Sequence, residues 1–224
     1  DWMRTELAML MPDGSTALSY VDAELSAIDI MDLTKKMPAW DKLYTPEKLA
    51  ALRDAYTDIN AEGLLDNLIY FLKAVVPVAE ESGVYMAIHP DDPPWSIFGL
   101  PRVVTNAENL RRLLDAVPSK HNGLTFCTGS LGASAENDLP AMAREFAGRI
   151  NFMHMRNVKR TSARDFHESE HPSTFGSVDM RGVMAALVEA GYDGPIRPDH
   201  GRMIWGEAGR AGYGLYDRAL GAMY

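Results

Sequence analysis

The 224-residue sequence contains a single cysteine, Cys127, and so no intramolecular disulfide. One thiol fits a reducing compartment, and the location expected is the cytoplasm. Basic residues are few: 22 Lys and Arg against 31 Asp and Glu leave a net charge of −9. A chain this acidic lacks a basic face that could release counterions, which argues against nucleic acid as a partner. An anionic small substrate remains open, provided that a metal or a few Arg and Lys hold it locally. Long apolar runs are missing as well. The longest, LLDNLIYFLKAVVPVA at 64–79, is interrupted by Asp66, Asn67 and Lys73 and is too short to span a bilayer, so no membrane partner is expected. No low-complexity tract is present, and the sequence begins without Met and without a basic segment leading into an apolar core.

What the sequence does have is alternation. Thr45-Pro46-Glu47 reads as a helix start, with a Thr cap, Pro in the first turn and an acid at the positive dipole end. A second helix is expected over roughly 60–82, with Leu64, Leu65, Leu68, Leu72 and Val75 at helical spacing, Pro77 near its end and Gly83 as its stop. VYMAIHPDD then reads as an apolar strand ending at His89. Thr105-Asn-Ala-Glu108 reads as a capping box before Leu110, Leu113 and Leu114, and LTFCTGS as a strand ending at Cys127. Asp138 opens a helix to about Phe146, closed by Gly148, and INFMHMRN is a strand ending near His154. Asp179 opens the helix of GVMAALVEAGY, PIRPDHG is a fourth strand, and a last helix begins near Gly214. Helices alternating with apolar strands call for a parallel sheet covered by helices, an α/β fold whose chemistry gathers at the carboxyl ends of the strands.

Those ends carry His89, Cys127, His154 and Asp199. Taken singly, each has an ordinary explanation: a hydrogen-bonded His, a small buried Cys, an Asp in a turn after Pro. Together they are four metal-ligand types at corresponding places on successive strands, and separations of 38, 27 and 45 residues collapse to one cluster when the strands lie side by side. Two imidazoles, a thiolate and a carboxylate suit Zn, Fe(II), Co or Mn, whereas Mg or Ca would favour oxygen alone. Four protein ligands would close a structural site and a catalytic one needs an open position, so the coordination number stays open. His121, in SKHNG, reads as solvated, Lys159-Arg160 as a short basic step on a loop, and the thirteen Met as core filler.

HPDDPPWSIFGLPR (89–102), CTGS (127–130), HMRN (154–157), FHE (166–168) with His171, RPDHG (197–201) and the opening DWMRT…MPDGS resemble the mannonate dehydratases across most of the chain. The resemblance implies a (β/α)8 TIM barrel related to metal-dependent sugar isomerases. It implies loss of water from D-mannonate to give 2-keto-3-deoxy-D-gluconate in hexuronate (glucuronate) breakdown, by a homo-oligomer, a dimer, using one divalent transition metal, Mn2+ or Fe2+. It assigns the metal to His89, Cys127, His154 and Asp199 and acid/base work to His200 and Tyr213, without saying which is the acid. Arg4, Arg156 and His167 match positions that would bind substrate, or serve as structural partners.

A full barrel needs eight strands and about 250 residues. Four strands are legible, so residues 1–224 are expected to form a single partial barrel domain, its C-terminal half, with the first half outside the sequence. Between about 31 and 44 the chain is shorter than the family pattern. Two alternatives stand beside the dehydratase: a metal-dependent sugar isomerase or epimerase on the same barrel, and a non-catalytic barrel that binds metal structurally.

Overall fold

The structure, a computed structural model, describes residues 8–10, 16–19, 25–27, 45–208 and 213–224. Strands β1 (Ala8–Leu10) and β2 (Thr16–Ser19) come first, then helices α1 (Pro46–Ala55) and α2 (Ala61–Glu81). After these the chain alternates: β3 (Met86–Ile88), α3 (Ala107–Ala116), β4 (Asn122–Cys127), the short α4 (Thr128–Gly132), α5 (Leu139–Phe146) and β5 (Ile150–Met155). The hairpin strands β6 (Val158–Arg160) and β7 (Asp165–Glu168) lead to α6 (Met180–Glu189), β8 (Ile196–Pro198) and α7 (Leu215–Met223).

Strands β3, β4, β5 and β8 form a parallel sheet in that order, as the alternation predicts. Its helix-facing side is the core. Leu65, Leu72 and Val76 of α2, Leu110, Leu113 and Leu114 of α3, Met142 and Phe146 of α5 and Val183 and Leu187 of α6 close over Leu124, Phe126, Ile150 and Met153. Each such side chain contributes about 1.5–3 kcal/mol on burial, so the strands are held from behind and their carboxyl ends stay together.

The helix starts follow local chemistry. Thr45, Asp138 and Asp179 cap α1, α5 and α6 as expected, each side chain accepting a first-turn N–H. At α3 the cap is Asn106, which accepts from the Asn109 N–H at 3.0 Å, in place of a Thr105 capping box. Thr105 is instead buried, its hydroxyl accepting from the Asn109 amide at 3.4 Å. Gly83 adopts a φ of 67° just past α2, where a side chain would be strained.

A second, antiparallel sheet, β1-β2-β7-β6, has no counterpart in the reading of the sequence. It takes Lys159 and Arg160 off a loop and into β6, where Arg160 donates to the carbonyls of Gly132 and Ser177. His121 is tied down too: its Nδ1 donates to the Val84 carbonyl at 2.7 Å and its ring stacks on Tyr85, centroids 4.4 Å apart. Among the described residues, no helix is long and apolar enough to cross a membrane.

Candidate metal centre and active site

Three of the four residues expected as ligands meet at the carboxyl ends of β3, β4 and β5. Cys127 and His154 are register partners on neighbouring strands, and His89 follows β3 directly. One donor atom from each of His89, Cys127 and His154 lies within 4.8 Å of the others, a group that could hold a metal ion. Strand alternation explains the facing: Leu124 and Phe126 belong to the core, while Cys127 points the other way. Two further observations fit an ion. The ring nitrogens of His154 are buried and make no well-formed hydrogen bond, the Asp199 carboxylate standing 3.4 Å from Nδ1, and coordination of one nitrogen would give it a partner. His89 Nδ1 donates to the Pro90 carbonyl at 2.7 Å, which fixes the tautomer and gives the ligand role to Nε2.

Asp199 stands beside this group, not within it. Its Oδ2 lies 3.4 Å from His154 Nδ1, and Oδ1 pairs with the Arg197 guanidinium. The charges are strongly coupled. Burial pushes the Cys127 thiol up, but His154, His89 and Arg156 outweigh it and bring it down to about 5. Burial opposes a charge on His154 as well, yet Asp199 and Cys127 raise its pKa to about 9. Asp199 resists its own burial through His154, His200 and Arg197, which hold its carboxyl well below the usual range. Ser130, at the first turn of α4, adds a hydroxyl donor to Cys127 Sγ at 3.2 Å.

His200 lies one residue beyond Asp199, in the left-handed region with φ 56°, a conformation uncommon outside glycine and often found at functional sites. Its Nδ1 is 2.9 Å from Glu168 Oε1, and its Nε2 is 3.8 Å from Asp199 Oδ2. The Tyr213 ring lies 4.7 Å from the His200 ring, centroid to centroid, and a bridge pairs Gly201 with Tyr213.

Arg156 is 1% exposed and turned to protein carboxylates. It grips Glu168 through Nε at 3.1 Å and Nη2 at 2.7 Å, and Asp92 through Nη1 at 2.7 Å. Of its two expected roles, the geometry displays the structural one. Gly129 is what lets it pass, since a Cβ there would overlap the Arg156 side chain. His167 is half-buried on β7, its Nδ1 donating to the Glu168 carbonyl at 2.8 Å. His171 is buried against Asp217, which also accepts the Arg202 N–H at 2.8 Å. Arg4 lies outside the described residues.

Sequence reasoning gave no role to Glu168, Asp92 or Ser130, although all three lie in the motifs it quoted. Glu168 was hidden because its partners, Arg156 and His200, meet it only through the antiparallel sheet. A carboxylate closing the alternating stretch DFHE was the available signal.

A parallel sheet covered by helices, whose carboxyl ends gather His, Cys and His, defines an α/β protein with a candidate metal centre. A xylose isomerase-like TIM barrel protein from Mycobacterium smegmatis in complex with magnesium shares this fold, with a TM-score of 0.54 and 17% identity over 74% of this chain and 51% of that one. The chain belongs to the D-mannonate dehydratase (UxuA) family, whose model matches residues 1–224. It is 54% identical over 226 residues to mannonate dehydratase 2 of Halalkalibacterium halodurans, covering 100% of this chain and 66% of that protein. The crystal structure of mannonate dehydratase from Streptococcus suis serotype 2 superposes with a TM-score of 0.83 at 45% identity, covering 100% of this chain and 61% of that one. The TIM-barrel fold and the family resemblance are thus borne out, and the chain spans just under two thirds of those relatives' length.

Proposed function

We propose that the complete protein removes water from D-mannonate to give 2-keto-3-deoxy-D-gluconate in hexuronate breakdown. The observation that carries this reading is the convergence of His89, Cys127 and His154 near a partly buried Glu168–His200 pair, in a chain of this family. His89, Cys127 and His154, joined by Asp199, would hold one divalent transition metal, Mn2+ or Fe2+, which supplies positive charge for the substrate carboxylate and for the electron density that builds at C2. The soft Cys127 thiolate favours Fe2+ over Mn2+.

Chain residues do the proton work. A carboxylate on Nδ1 assigns that nitrogen the proton, so His200 Nε2 takes the proton from C2, and Glu168 meets the positive charge that develops on the ring. Arg156 keeps Glu168 in place from behind. Tyr213 gives its hydroxyl proton to the oxygen on C3, which leaves as water. The remaining enol carries its hydroxyl on C2 and becomes the 2-keto product on protonation at C3. Arg4 and His167 are assigned to the substrate's carboxylate and hydroxyls, and Arg156 to Glu168. The same reading has the enzyme work in the reducing cytoplasm, where Cys127 stays a thiolate, as a homodimer.

The test is turnover of D-mannonate by the complete protein, stripped of metal and reloaded anaerobically with Mn2+ or Fe2+, following the 2-keto-3-deoxy product. Each of His200→Asn and Tyr213→Phe is expected to lower kcat by about a hundredfold or more with metal still bound. Stoichiometric metal without turnover would remove D-mannonate as the substrate and move the isomerase reading ahead.

A further inference from the structure

An unbroken strand sends alternate side chains to opposite faces, so residues four apart share a face. Ile150 and His154 are four apart on β5, yet Ile150 is in the helix-covered core and His154 stands beside Cys127 on the other side. The cause is a bulge. Leu124 pairs with Ile150 but Thr125 pairs with Phe152, so β5 carries one residue, Asn151, that has no partner on β4. Such extra residues are rare between parallel strands. A slip of one residue exchanges the faces of everything beyond it. Were Asn151 drawn into the ladder opposite Thr125, Cys127 would face Met153, and His154 would be driven into the core.

The Asn151 side chain is held as specifically as its backbone. Its Nδ2 donates to the Met86 carbonyl of β3 at 2.7 Å and to the Lys120 carbonyl at 3.2 Å. To reach β3 from β5 it must cross β4, and it crosses at Gly123, where an added Cβ would overlap the amide. One amide therefore ties the strands that carry His89, Cys127 and His154, at the point where the register changes.

We propose that Asn151, seated on Gly123, is a positioning residue for the metal centre: it fixes the bulge that sets His154, and not Met153, beside Cys127. This rests on the metal reading given above. The experiment uses the complete protein, stripped and reloaded with Co2+ as a probe. In Asn151→Ala, Co2+ affinity should fall about tenfold to a hundredfold, the size usual for residues that orient ligands. Thiolate-to-cobalt charge-transfer absorption should weaken while far-UV circular dichroism stays the same. Gly123→Ala, whose Cβ would overlap the Asn151 amide and come within 2.7 Å of the Arg149 carbonyl oxygen, should do likewise. Should N151A not fold, Asn151→Ser is read by the same absorption. Affinity and absorption equal to those of the unaltered protein in Asn151→Ala would overturn the inference. Absence of the charge-transfer band from the unaltered protein would overturn the metal reading itself, so the two failures are distinct.

Discussion

Before any ion arrives, Cys127 and His154 form a charged pair. With the thiol brought down to about 5 and the imidazole raised to about 9, thiolate and imidazolium coexist across the neutral range. An ion that binds both must displace the proton of His154, since a ligating imidazole is neutral. The sign follows: between those two values binding releases a proton, so affinity rises with pH, roughly tenfold per unit for one proton. His89, also raised, can only steepen the slope. Competition with a chelator at pH 6.5, 7.5 and 8.5 measures it. A flat profile would mean that His154 is already neutral in the metal-free protein. The bare residue types predicted a ligand; the protonation state that an ion meets comes from Asp199 and Cys127 packed on either side.

At the level of elements, the ends are where sequence and structure part. Asn106, and not Thr105, caps α3, so Asn106→Ala should cost about 1 kcal/mol and Thr105→Ala less, as read by urea unfolding. Thr45, Asp138 and Asp179 could be placed from sequence because a cap depends on residues three positions away. The parallel strands were legible for the same reason: each is an apolar stretch that ends in a polar residue, and the ligand positions came with them. The antiparallel sheet was not, because β2 pairs with β7 across more than a hundred residues, Ala17 opposite His167, and nothing local in either segment requires the other. Glu168 went unassigned with it. The bulge was partly legible, since Ile150 and His154 share a parity that no regular strand could satisfy once one is core and the other a ligand.

At the scale of the whole molecule, the buried guanidinium of Arg156 links the two sheets. Arg156 follows β5, Glu168 ends β7 and Asp92 follows β3, so this side chain reaches from the parallel sheet to the antiparallel one. Removing one partner from such a buried pair costs about 3–5 kcal/mol, because the other charge is left without compensation. A bound ion adds a further link, among β3, β4 and β5. An ion at a hundred times its Kd should stabilise the folded protein by about 2.7 kcal/mol, so the thermal midpoint should rise with metal and fall with chelator. The Cys127→Ser variant should lose most of that shift; a midpoint indifferent to metal in the unaltered protein would count against the centre.

The bulge on β5 also has a consequence for how such a chain can change over generations. A substitution in β5 alters one side chain, whereas a change in its length alters the pairing: β4 takes three steps from Leu124 to Cys127 where β5 takes four from Ile150 to His154, so deleting Asn151 would leave a regular strand with every pair unchanged. The bulge is thus an insertion that the strand has absorbed without moving its histidine. Lineages that carry this centre should vary freely in loop length on either side of β5, and a β5 one residue shorter should lack the asparagine and still set its histidine beside the cysteine.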